Sequence, residues 1–128
     1  MNYKFHKDGT QPLNGEVFVF GSNESGIHGA GAAKAAIDHY GAVLCVGYGR
    51  QGQSFAIPTK DWLIDSLTLT QIEFYVNRFK AYARVTGDPF FVSAIGCGLA
   101  GYKHSTIAPM FKGAPAHCNF PEEWAQYL

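Results

Sequence analysis

The run from Phe20 to Ala33, FGSNESGIHGAGAA, constrains this chain more than any other stretch. The apolar residues before it make Glu16 to Phe20 a short strand buried on both faces. The small residues after it read as a helix from Ala30 to Tyr40, stopped by Gly41 at the position just past its end. Between them lie Gly21, Gly26, Gly29 and Gly31. Glycine admits close approach to the backbone, and unpaired N–H groups at a helix start attract anions. The unit is therefore either an anion cradle or a tightly packed strand-to-helix turn, and spacing alone leaves both open.

The remaining elements repeat the strand-and-helix alternation. Residues 3 to 6 can add an edge strand. Ala42 to Val46 and Ser54 to Ile57 read as strands separated by a flexible loop, Gly47 to Gln53. Pro58 is expected to close the second of these, because proline cannot donate to a ladder. Thr70-Gln71-Ile72-Glu73 fits a capping box. Leu69 and Phe74 fit its hydrophobic staple, opening an amphipathic helix from Gln71 to Val85 that ends at Gly87 and Pro89. Phe90 to Ile95 is a central strand running into a third glycine loop, Gly96 to Tyr102. Ser105 or Thr106 can cap a short helix through Phe111, Ala116 to Phe120 is a last strand, and Pro121 starts a final helical turn.

Such alternation implies an α/β layer structure with a largely parallel sheet, in a chain whose 128 residues suit one domain, 1–128. Ligands in such folds bind outside the carboxyl ends of the strands, so the three glycine loops are expected on one rim. The balance of 10 basic against 10 acidic side chains argues against a strongly electrostatic nucleic-acid binder. No apolar run approaches the roughly 18 residues of a membrane span, and the N-terminus lacks a signal-peptide core. The expected setting is cytoplasmic, without a membrane partner. Cys45, Cys97 and Cys118 form no metal-binding or disulfide spacing, and no metal or cofactor is implied. No Walker A motif occurs, and the first loop is not a GxGxxG either, since Gly29-Ala30-Gly31 lacks the third glycine.

Taken together, Gly21-Ser22-Asn23, His28-Gly29-Ala30-Gly31-Ala32-Ala33 and Ile95-Gly96-Cys97-Gly98-Leu99-Ala100-Gly101 resemble the loops of a macro domain, a family that binds ADP-ribose. The resemblance covers roughly residues 16–125 and extends to a small phage-associated macro-like group. It implies a three-layer α/β/α domain with a mostly parallel mixed sheet. It also implies binding of ADP-ribose or a related NAD-derived nucleotide. Gly21, Ser22, Asn23, His28, Gly29, Ala30 and Gly31 would form one side of the cleft, with Asn23 on the distal ribose. Gly96, Cys97, Gly98, Leu99, Ala100, Gly101 and Tyr102 would close the other side.

One macro subclass removes ADP-ribose from carboxylate side chains. A lysine ending a Thr-Lys strand attacks the distal ribose, and an aspartate after Gly-Leu assists. Thr59-Lys60 matches the lysine; Ala100 stands at the aspartate. Asp61 or Glu24 would have to replace it. Lys60, His28 and Asn23 are thus the candidate catalytic groups of a hydrolase acting on ADP-ribosylated protein or ADP-ribose 1″-phosphate. A binder that sequesters an NAD-derived signal is a further alternative. His28 reads equally as an acid/base group or as a packed histidine. Many macro domains hold adenine with an aspartate after an early strand, for which residues 1–15 offer only Asp8.

Overall fold

A computed structural model describes residues 3–128. In chain order the elements are β1 (Lys4–His6), β2 (Val17–Asn23), α1 (Gly31–His39), β3 (Gly49–Gln51), β4 (Ser54–Lys60), α2 (Leu69–Thr86), β5 (Phe90–Val92), α3 (His104–Ile107) and β6 (Cys118–Pro121). Two 3-10 turns follow α3 and β6, at Ala108–Phe111 and Glu122–Tyr127. The six strands form one sheet in the order β1-β6-β5-β2-β4-β3, parallel except for the β3–β4 pair. This is the expected mixed, mostly parallel sheet between two helical layers.

Central β2 places Val17 and Val19 on one face of the sheet and Phe18 and Phe20 on the other, since strand side chains alternate. The Val face carries the larger core. There α2 buries Ile72, Val76, Phe79 and Ala83 at helical spacing. Phe79 meets the rings of Phe55 and Phe90, both with centroids 5.2 Å away. The Phe face is covered by α1, whose small residues let Ala36 lie fully buried against Phe18, Phe20, Ala56 and Phe91. No helix among the described residues is long and apolar enough to cross a membrane.

Four local expectations are corrected. The segment 42–46 is a turn, not a strand. β4 already has β2 on one side and β3 on the other, so β4 has no free edge to pair with this segment. Instead Gln51 Oε1 accepts from the Val43 N–H, and Cys45 turns through φ 71°. The supposed loop 47–53 contains β3, joined to β4 by a two-residue hairpin with Gly52 at φ 58°. Pro58 lies inside β4 opposite Ser22. β3 runs out at Ala56, so the missing donor costs no ladder bond there.

Helix α2 starts two residues early. Thr68, not Thr70, is the cap: its Oγ1 accepts from the Gln71 N–H at 3.2 Å and Gln71 Oε1 accepts from the Thr68 N–H at 3.0 Å. Leu69 consequently sits in the first turn, 39% exposed, and not at the staple position. Gly87 closes the helix in the left-handed conformation, as its sequence position implied.

Candidate functional site

Parallel pairing brings the carboxyl ends of β2, β4 and β5 to one rim, where a cleft of about 460 Å³ opens. Gly21, Ser22, Asn23, Gly29, Ala30 and Gly31 line one side. Gly96, Gly98, Leu99 and Ala100 line the other, and Lys60 stands at the end of β4 between them. The loop at residues 47–53 does not reach this cleft; two glycine loops gather on the rim, not three.

The first loop is held by its own polar groups. Asn23 Oδ1 accepts from Ser25 Oγ and from the Ile27 N–H at 2.8 and 2.9 Å, and Asn23 Nδ2 donates to the Ile27 carbonyl at 2.7 Å. Its carboxamide donates no second hydrogen bond among the described residues. Ser22 Oγ donates to the Gly47 carbonyl. Gly26, at φ 73°, packs where a Cβ would overlap the backbone of Cys45 and Val46. The sequence 42–47 therefore acts as a buttress behind the loop.

His28 belongs to that buttress and not to the cleft lining. It is buried, its Nε2–H donates to the Val46 carbonyl at 3.1 Å, and its ring stands edge-on to Phe20. Nδ1 has no partner among the described residues. Cys97, Gly101 and Tyr102 also stand outside the lining. Tyr102 donates to the Leu67 carbonyl, fastening the second loop to the start of α2. Burial pushes the Cys97 thiol up to about 11, which leaves it protonated near neutrality.

The cleft leaves backbone donors free. Ala30 caps α1 and has no side chain that can accept from the first turn. The N–H groups of Gly31, Ala32 and Ala33 consequently have no acceptor among the described residues. Across the cleft, the N–H groups of Gly98, Leu99 and Ala100 are likewise unpaired. Lys60 is the one charged lining residue among those described, and its Nζ has no ion-pair or hydrogen-bond partner there. No carboxylate lines the cleft among the described residues. Asp61 Oδ1 is engaged by the N–H groups of Leu63 and Asp65, and Glu24 by the Tyr75 hydroxyl. No group of three His, Cys, Asp or Glu side chains among the described residues is disposed to hold a metal.

Several lining residues carried no motif. Among them are the apolar Ile27 and Ile64, with Ser93 and Ala94. The turn presenting Ile64 follows Lys60-Asp61, and Ser66 Oγ ties it to the Ala100 carbonyl at 2.8 Å. The exposed run Trp62-Leu63-Ile64 was its only sequence signal.

A second cleft of about 270 Å³ adjoins the first through Ser93 and Ala94. His6, Asp8, Phe91 and His104 are among its walls. Asp8 thus stands beside the main cleft.

No family profile matches the chain, and no curated protein matches it. Solved structures do match it in three dimensions, among them the two that follow. The macrodomain of Mycobacterium tuberculosis DarG superposes with a TM-score of 0.67 at 16% identity, over 94% of this chain and 99% of that one. Thermosipho africanus DarTG, solved in complex with ADP-ribose, gives 0.59 at 16% identity, over 86% of this chain but 39% of its own longer one. With its six-stranded, mostly parallel sheet and the DarG superposition over 94% of its length, the chain has the macro-domain fold.

Proposed function

We propose that the protein binds ADP-ribose or a closely related NAD-derived nucleotide in the cleft between the two glycine loops. One observation carries this: unpaired N–H groups of the uncapped α1 start and of Gly98, Leu99 and Ala100 border the same cleft as Lys60. Opposed backbone donors with a single cation and no carboxylate suit a diphosphate. The apolar walls suit the flanking sugars. The ADP-ribose held by the Thermosipho africanus structure supports the same ligand class. Glycines at both rims let the diphosphate approach the backbone closely.

Calorimetric titration with ADP-ribose, NAD and inorganic diphosphate tests the reading. ADP-ribose is expected to bind, and diphosphate alone much more weakly. Absence of both heat and thermal shift with ADP-ribose overturns it.

A second reading, hydrolysis of an ADP-ribosylated carboxylate, is favoured by Lys60. Lys60 lines the cleft, where an unprotonated amine can attack the anomeric carbon of the distal ribose and displace the protein carboxylate; opening of the sugar ring then gives a Schiff base, which water hydrolyses to free the amine. Against it, Ala100 supplies no carboxylate, and Asp61 and Glu24 are committed elsewhere. Turnover of an ADP-ribosylated peptide by the wild type, abolished in Lys60→Ala, would establish it. Binding without turnover leaves the protein a reader of the ligand or a sink for it.

A further inference from the structure

The second cleft holds two half-buried imidazoles whose tautomers are fixed in opposite senses. His104 Nδ1 lies 2.9 Å from the indole Nε1 of fully buried Trp124. An indole nitrogen only donates, so His104 Nδ1 must accept. In the neutral ring the proton then sits on Nε2. His6 Nδ1 lies 2.9 Å from Asn119 Oδ1. The orientation of that carboxamide is set from behind: Asn119 Nδ2 donates to Glu16 Oε2 at 3.3 Å, and a carboxylate can only accept. Glu16 is itself held by the Leu13 N–H on its other oxygen, at 2.7 Å. His6 Nδ1 must therefore donate, and its Nε2 is a bare acceptor. The ring stacks on Phe91 at 3.8 Å and 18°, which fixes its plane.

We infer that His6 and His104 are specificity-determining residues that select a 6-aminopurine base over a 6-oxopurine. This rests on the ADP-ribose reading, with the base entering the second cleft past Ser93 and Ala94. An adenine edge offers an amino donor at N6 and an acceptor at N1. His6 Nε2 accepts from the first and His104 Nε2–H donates to the second. Hypoxanthine offers the reverse, an acceptor at O6 and a donor at N1–H. Neither imidazole can invert to suit it. His104 would lose its indole donor, and His6 would oppose a lone pair to Asn119 Oδ1. The other titratable groups of this cleft, Lys7, Asp8 and Glu123, are exposed and free to rotate, so they do not impose the sense of the pair.

The test uses the wild-type protein and two ligands, ADP-ribose and its hypoxanthine counterpart. The expected result is a preference for ADP-ribose of at least about tenfold, since each mismatched polar pair leaves a desolvated group without its hydrogen bond. His6→Phe keeps the stack on Phe91 but removes the acceptor, so affinity for ADP-ribose should fall toward that for the hypoxanthine ligand and the ratio should shrink. Nitrogen-15 NMR of labelled histidine gives a reading that does not depend on variants. His6 should show a pyridine-type Nε2 and His104 a pyridine-type Nδ1. Equal affinity for the two ligands, or the same tautomer at both rings, overturns the inference and leaves ADP-ribose binding standing. Failure of both ligands to bind overturns the two readings together.

Discussion

The hydroxyl of Tyr75 donates to Glu24 Oε2 at 2.7 Å, fastening the first glycine loop to helix α2. Burial, then the hydrogen bond to Glu24 and its charge, push the Tyr75 phenol up to about 12 from 10.0. The phenol is protonated in the fold at pH values where an unfolded tyrosine ionises. Its contribution to stability is full below pH 10 and is lost as the pH rises toward about 12. Tyr75→Phe should lower stability by about 1 kcal/mol and flatten the alkaline limb of the stability profile, measured by urea unfolding between pH 8 and 11. Because the loop carries half of the cleft, ADP-ribose affinity should also fall severalfold.

Gly98 offers a cleaner block of the ligand. A Cβ there meets nothing within 4 Å, and its φ is not in the left-handed region. Gly31 also has open space but sits at φ 58°, so substitution there would add strain to any steric effect. Gly98→Val should therefore keep the melting temperature within a few degrees while reducing ADP-ribose affinity by about tenfold or more, by occupying space and screening the neighbouring N–H groups. Unchanged affinity would remove the second loop from the binding site.

What was legible in the chain follows from which interactions are local. The unit from Val17 to Tyr40 announces itself because strand, glycines and small-residue helix are contiguous. Helix α2 does so through its buried Ile72, Val76, Phe79 and Ala83. The turn at 42–46 was unreadable, because apolar Val43 and Leu44 look like a strand and only the occupied edges of β4 deny them one. His28 stands among cleft glycines in sequence, yet its contacts to Val46 and Phe20 come from packing across the loop. The histidine pair of the second cleft lies 98 residues apart in the chain, and its sense depends on Asn119 and Trp124.

The start of α2 gives a stability prediction independent of any ligand. Thr68 and Gln71 exchange two hydrogen bonds and satisfy two otherwise unpaired N–H groups. Thr68→Ala should cost about 1 kcal/mol, whereas Thr70→Ala, one position inside the helix, should be near neutral. Chemical unfolding of the two variants distinguishes the caps directly.

The thiols should react in an order set by burial. Cys45 is exposed on the turn behind the first loop. Burial pushes Cys97 up to about 11 and Cys118 up to about 12, so near pH 8 both remain thiols and not nucleophilic thiolates. Iodoacetamide followed by peptide mass spectrometry should label Cys45 first and Cys118 last. Cys97→Ser should leave ADP-ribose binding intact, since Cys97 lies outside the lining.

Lys60 carries the strongest functional prediction. As the single cation described in the cleft it should supply the salt-sensitive part of nucleotide affinity, and Lys60→Gln removes that charge at similar length. A charged hydrogen bond to phosphate is worth roughly 1.5–3 kcal/mol, so affinity for ADP-ribose should fall by about tenfold or more. Its dependence on ionic strength should weaken at the same time. Lys60→Arg keeps the charge and should retain most of the affinity, but a guanidinium stays protonated and cannot form a Schiff base. An arginine variant that binds yet has lost a measurable wild-type turnover would identify the amine as a nucleophile. If neither variant changes affinity or its salt dependence, the diphosphate does not lie against Lys60.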